Sequence, residues 1–259
     1  MVLYISIDGV RPDALEPSHA PTLTRLMQQG SYSLCARSVM PSITLPCHMS
    51  IFHSVPPERH NIMSNQYTPM VRPLPGLIEV LALAGKRSAS FFSWEPLRDI
   101  SRPLSLHHSS FSAYENDPEF ADKRVLDKAL PLISSAEFDF YFLYFGTADE
   151  VGHLSGWMSQ PYLAQIRHID SLIAEVLEHL PAQARVLIHS DHGGHDRMHG
   201  TDKDEDMLIP WILWGPGIKQ GHELETTISL LDTAPTVAHL LGVSGHSLWE
   251  GRIIEEALI

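Results

Sequence analysis

Short apolar runs alternate along this chain with stretches of helical period. The runs are VLYISI (2–7), the stretch near 88–92, FDFYFLYF (138–145), ARVLIHS (184–190) and IPWILWG (209–215). Each is too short for a helix, and several carry the Val, Ile, Phe or Tyr of strands buried on both faces. Between them, helical spacing predicts helices over 21–29, roughly 46–54, 75–84, about 119–134, 160–179 and 232–241. Gly30, Gly85 and Gly242 lie just past three of these, where C-terminal caps fall. Asp232 is the expected N-cap of the last helix, with Pro235 in its first turn. The alternation predicts an α/β fold, a central and mostly parallel sheet with helices on both faces. Residues 56–76 and 96–118, rich in Pro, Ser, Asn and His, read as long surface loops. Loops of that length ordinarily do something. No internal repeat or Gly/Ser linker marks a boundary, so residues 1–259 read as one domain.

Composition narrows the classes. Forty-four per cent apolar content is that of a folded core and argues against disorder. A net charge of −13, from 18 basic and 31 acidic side chains, argues against a nucleic-acid groove or an anionic membrane surface. Carboxylates that hold cations would account for part of that excess. Cys35 and Cys47 make no disulfide framework, and neither lies in a CxxC pair. The chain opens on MVLYISID, a strand pattern with no basic leader, and no apolar run suits a membrane span. A cytoplasmic protein without membrane attachment is the expectation. The sequence carries no signal for oligomeric state.

The candidate chemistry falls on strand ends. Asp8 ends the first strand and precedes Gly9, a place where open α/β sheets bind ligands; a turn-initiating Asp is the competing reading. Thr44 lies in PSITLPCHMS, where Pro46 suits the first turn of a helix. A hydroxyl at a helix start meets the positive end of the dipole, although a plain N-cap would look the same. Cys47 is a rival nucleophile without an evident partner and reads as a small buried residue. His48 reads as a structural hydrogen-bonder. Asp149 and His153 follow the longest apolar run at i, i+4, so that one helical turn projects both to one side. Asp191 and His192 end another apolar run, with Gly193 and Gly194 expected to let the backbone turn sharply, and His199 follows in a loop. His107, His108 and His195 read as surface or supporting residues. Three carboxylates, three imidazoles and one hydroxyl suit two divalent ions; the imidazoles favour zinc, and manganese also accepts such a set.

These segments resemble the alkaline phosphatase superfamily, most closely its nucleotide pyrophosphatase/phosphodiesterase branch. The resemblance rests on SIDGVRPDAL, TLPCHMSIFHSVPPERHNIMSN, the Asp149/His153 segment and DHGG…HG, spanning about residues 3–200. It implies one metal held by Asp8, Thr44, Asp191 and His192, and a second held by Asp149, His153 and His199. It also implies a phosphate contact from Asn65, with Asn61 as a nearby distractor. The implied reaction hydrolyses a small-molecule phosphate ester by two in-line displacements through a phosphothreonine on Thr44. Two departures limit the likeness. The branch's longer pocket-forming insertions and the mutases' large cap domain have no room here. Neither Thr44 nor Cys47 begins the x-Pro-x-Arg motif of sulfatases. A phosphomonoesterase or phosphonate hydrolase on the same core, and a metal-binding protein without turnover, stay open. No Arg or Lys lies within a few residues of Thr44 or Asn65, which favours monoanionic diesters; Arg11 is the nearest candidate, and Asp13 is placed to neutralise it. Tyr67, Trp94, Phe111 and Trp157 are aromatics able to stack on a leaving group.

Overall fold

The computed structural model describes residues 1–114 and 120–259. The strands are β1 (Val2–Ile7), β2 (Ser31–Arg37), β3 (Ser88–Phe92), β4 (His108–Phe111), β5 (Phe140–Phe145), β6 (Arg185–His189), β7 (Leu208–Trp214) and β8 (His222–Glu223). They form one 8-stranded sheet in the order β4-β3-β5-β1-β6-β7-β2-β8. β7 runs antiparallel to β6 and β2, and the other pairings are parallel. The α/β sheet expected from the alternation is the one observed.

β1 lies between β5 and β6, with Val2 opposite Phe140 and Arg185. Both faces of β1 are buried, which is why its sequence is continuously apolar. Val2 and Tyr4 join one apolar cluster, with Phe52, Phe142 and Trp211. Leu3, Ile5 and Ile7 join the other, with Phe91, Leu143, Tyr162 and Ile188. Alternate side chains of a strand point to opposite faces, so each face receives its own half of β1.

The predicted helices appear as Pro21–Gln29, Thr44–His53, Leu77–Leu83, Ala121–Ser134, Gln160–Glu178 and Thr233–Leu240. The expected start near 119 lies outside the described residues. Several local readings need correction. β2, β4 and β8 carry no continuous apolar run; β2 is partly exposed and bulged between Ser33 and Ala36. The stretch 96–118 is not wholly loop, since it holds most of a 3-10 helix, Glu95–Ile100, and β4. Gly85 and Gly242 take the left-handed conformation of helix caps, at φ 74° and 70°, but Gly30 is extended at φ −141°. Glycine is needed there because a Cβ would collide with the Leu213 carbonyl. Asp232 holds the N-cap position of Thr233–Leu240 but makes no side-chain cap bond there; its carboxylate instead accepts from the Ser229 N–H at 2.9 Å, and Ser229 caps the 3-10 turn Leu230–Asp232 that leads into the helix.

Among the described residues no helix is long and apolar enough to cross a membrane. The carboxyl ends of β1, β5 and β6 open side by side, and the chain leaving β2 passes the same edge towards Thr44. That crevice is where an open α/β sheet presents its chemistry.

Candidate active site

Asp8 follows β1 directly, and its N–H bonds the Phe145 carbonyl at 2.9 Å, continuing the ladder. Its side chain is 1% exposed, and Oδ2 accepts a hydrogen bond from the Tyr144 hydroxyl. Oδ1 has no partner. The carboxylate is therefore not spent on starting a turn. Asp191, beyond β6, accepts from the Gly9 N–H at 3.3 Å through Oδ1, while its Oδ2 is unpartnered. His192 places Nε2 3.3 Å from Asp8 Oδ1 and 3.5 Å from Asp191 Oδ2. These residues make the first cluster.

The second cluster sits beyond β5. Helix Thr147–Ser155 carries Asp149 and His153 one turn apart. His153 Nε2 lies 3.4 Å from Asp149 Oδ2, and His199 Nε2 lies 3.7 Å from Asp149 Oδ1, an oxygen with no hydrogen-bond partner. The rings of His192 and His199 stack at 3.9 Å between centroids, so the clusters share a wall.

The three imidazoles are oriented alike. Nδ1 of His192 faces the Gly193 carbonyl at 2.8 Å, Nδ1 of His153 the Arg197 carbonyl at 3.0 Å, and Nδ1 of His199 the Ser42 carbonyl at 2.8 Å. A carbonyl only accepts, so each Nδ1 carries the proton and each Nε2 keeps a free lone pair for the cluster. The three carboxylates respond differently to burial. Burial, with Asp191 and Asp149 nearby, raises the Asp8 carboxyl well above its usual range. Burial also pushes Asp149 up to about 7, although His192 opposes the rise. Asp191 is buried too, yet His192 and His48 hold it below the usual value. Burial and the neighbouring His192 bring His199 down to about 3. Three buried carboxylate oxygens without hydrogen-bond partners, facing three imidazole Nε2 atoms, make a donor set that fits divalent cations.

Thr44 is the first residue of helix Thr44–His53; Ile43 holds the cap position, so the plain N-cap reading does not apply. The Thr44 hydroxyl is buried and stands 3.3 Å from His192 Nε2. Asn65 reaches the same helix start, its Oδ1 accepting the Leu45 N–H at 3.0 Å. Asn61 instead ends helix Pro57–His60 in the left-handed conformation. His48 donates from Nδ1 to the Thr44 carbonyl at 2.8 Å and meets Ser6 Oγ through Nε2 at 3.0 Å, a structural role. Cys47 is fully buried with Sγ 3.2 Å from Ser38 Oγ, and burial pushes its thiol up, away from nucleophilic use.

Arg11 is occupied, pairing with Asp13 Oδ2 at 2.6 Å and donating to the Gly194 carbonyl at 3.1 Å. Gly193 and Gly194 do not act by turning the chain: a Cβ on Gly193 would strike the Glu205 carbonyl, and one on Gly194 would strike Trp157. Trp157 is itself corrected from stacking platform to wedge. It is 6% exposed, donates Nε1–H to the Gly9 carbonyl at 2.8 Å and sets its ring edge-on to His153 at 5.1 Å. Phe111 packs on Phe92 at the sheet edge, and Trp94 packs on the core. Tyr67 remains partly exposed and lines a cavity of about 250 Å³ with Met49, His53 and Arg102. Sequence reading missed Tyr144, Ser42 and Asp206; only Tyr144 left a signal, as a polar-tipped residue in a fully buried strand.

Comparison with known proteins places this geometry. The model of the type I phosphodiesterase / nucleotide pyrophosphatase family matches residues 2–210. The 2,3-bisphosphoglycerate-independent phosphoglycerate mutase of Staphylococcus aureus (strain Mu50 / ATCC 700699) is 33% identical over 135 residues, 51% of this chain and 26% of the mutase. That of Staphylococcus haemolyticus (strain JCSC1435) is 33% identical over 144 residues, 54% and 28% respectively. The match thus spans about a quarter of these relatives' length. Murine ectonucleotide pyrophosphatase / phosphodiesterase 5 superposes with a TM-score of 0.81 at 16% identity, covering 100% of both chains. The phosphonate monoester hydrolase of Silicibacter pomeroyi gives 0.77 at 17%, covering 98% of this chain and 75% of that one. The structural likenesses establish the shared fold, and the family match, running through all four motif segments, establishes membership: the chain belongs to the type I phosphodiesterase / nucleotide pyrophosphatase family.

Proposed function

We propose that residues 1–259 form one catalytic unit, a metal-dependent hydrolase of phosphate diesters in which Thr44 is the nucleophile. The observation that carries this reading is the buried Thr44 hydroxyl, 3.3 Å from His192 Nε2 where two adjoining ligand clusters meet. Asp8, Thr44, Asp191 and His192 would hold one divalent ion, and Asp149, His153 and His199 the other, with zinc favoured over manganese. Such ions supply charge that favours an ionised threonine and offsets charge on the leaving oxygen.

The chain's own residues do the rest. Thr44 Oγ1 bonds to phosphorus as the bond to the leaving alcohol breaks, giving a phosphothreonine. Water then cleaves that Oγ1–P bond, restores the hydroxyl and releases a monoester. Leu45 N–H is already taken by Asn65 Oδ1, which tethers the amide and leaves its Nδ2 donors for an equatorial phosphate oxygen. An inactive threonine-to-alanine variant of the murine neighbour is described in complex with AMP, which makes a nucleoside monophosphate the first product to look for.

Preference for diesters follows from Arg11, whose guanidinium is committed to Asp13 and Gly194 and leaves no full charge for a dianion. Arg197 favours the second reading, hydrolysis of phosphomonoesters or phosphonates. Its side chain is exposed and makes no hydrogen bond among the described residues, and its carbonyl touches the second cluster. Hydrolysis of bis-p-nitrophenyl phosphate against p-nitrophenyl phosphate, in metal-defined buffer, tests both. A higher kcat/KM for the diester is expected. A tenfold monoester advantage that disappears in Arg197→Ala would establish the second reading, and no turnover of either would leave a metal-binding protein.

A further inference from the structure

One fully buried carboxylate outside both clusters is spent on the loop that serves them. Asp206, in the short helical turn Asp204–Met207 just before β7, accepts from His195 Nδ1 at 2.7 Å through Oδ1. Its Oδ2 accepts from the Thr201 N–H at 2.8 Å and the Thr201 hydroxyl at 2.7 Å. Its carbonyl accepts the Gly193 N–H at 2.8 Å. Both ends of the segment 193–201 therefore close on a single residue.

That segment supplies the second cluster twice. It carries His199, and the Arg197 carbonyl holds the proton on Nδ1 of His153. Ser42 ties the same segment to the approach to Thr44, donating Oγ–H to the Thr201 carbonyl at 2.8 Å and accepting from His199. The first cluster depends on it far less. Asp8 and Asp191 sit on adjacent strand ends, and His192 is braced by Gly193, which Asp206 holds through its backbone and not its side chain.

We propose that Asp206, acting through His195 and Thr201, is a positioning residue for the Asp149/His153/His199 site and not for the other. The inference rests on the two-metal reading. Removing the carboxylate leaves two donors at Thr201 and one at His195 unmatched, and releases the loop with the Nε2 of His199 and the carbonyl behind His153. Partners standing behind a metal ligand commonly tune its affinity by about 10–100-fold.

The test is zinc uptake by metal-free protein, measured by competition with a chromophoric chelator. Wild type should take two equivalents. Asp206→Ala should keep one within threefold of its wild-type affinity and bind the other roughly 10–100-fold more weakly. Adding His192→Ala to Asp206→Ala should then leave no tight equivalent. His195→Ala, which cuts one arm, and Thr201→Ala, which removes the hydroxyl donor and keeps the N–H, should give intermediate losses at the same site, the latter the smaller, even if Asp206→Ala folds poorly. Asp206→Asn, which keeps an acceptor for Thr201, should recover part of the affinity. Equal weakening of both sites, or losses that merely track the melting temperature of the metal-free variants, would overturn the proposal. So would an unchanged second equivalent in Asp206→Ala. Zero uptake by wild type would instead remove the two-metal reading beneath it.

Discussion

The two ligand clusters are built on different principles. In the first, His192 and Asp8 are at most 1% exposed, and the carboxylates come from adjacent strand ends whose spacing the β1–β6 ladder fixes. In the second, Asp149 and His153 ride a helix after β5, the His153 side chain is 40% exposed, and His199 arrives on a loop. Sheet hydrogen bonds set the first geometry; side chains such as Asp206, Ser42 and Trp157 must set the second. The sheet backbone places the carboxylates of one half of the site, and the other half is held by contacts that a single substitution can cut.

The largest expected effect lies where the halves meet. Thr44→Ala should abolish turnover while leaving the fold and most metal uptake intact, since every carboxylate and imidazole remains. Thr44→Ser should keep measurable activity. Retention of more than about a tenth of the rate by Thr44→Ala, roughly 1.4 kcal/mol of barrier, would point to direct attack by water.

Next come the clusters themselves. His192→Ala and His153→Ala should each cost mainly one equivalent of metal by elemental analysis. The comparison sharpens if His153→Ala leaves the other equivalent untouched, and breaks if either variant loses both. Tyr144→Phe probes the sheet-placed half more gently. It deletes the hydroxyl that holds Asp8 Oδ2, and a hydrogen bond to a charged group is worth about 1.5–3 kcal/mol. Weaker metal binding at the first site and unchanged binding at the second is the expected outcome.

The smallest effect concerns the frame behind Thr44. His60 bonds Ser50 on the Thr44 helix through Nε2 at 3.1 Å, and burial brings it down to about 4. The unfolded chain, titrating near 6.5, takes up that proton first. Stability contributed by neutral His60 is therefore present above about pH 6.5 and lost as pH falls towards 4. Urea unfolding between these limits should be less pH-dependent in His60→Gln than in wild type.

Much of this was written in the sequence, for a physical reason. Strands buried on both faces must be continuously apolar, so Asp8 and Asp191 stand out as polar residues where such runs stop. Asp149 and His153 stand out by helical spacing after a third run. What stayed hidden depends on tertiary contact. β2 is partly exposed and interrupted by a bulge, so it shows no clean period. Gly30 and Gly194 look like turn formers, yet Leu213 and Trp157, remote in sequence, are what exclude a side chain. Asp206 reads as one acid among several in TDKDEDM, and nothing local separates it from its exposed neighbours.

The central claim is that Thr44 takes the phosphoryl group before water does. The stereochemical course at phosphorus tests it most directly, using a chiral phosphorothioate diester hydrolysed in isotopically labelled water. Two successive in-line displacements predict retention of configuration; inversion would mean a single attack by water and would contradict the account.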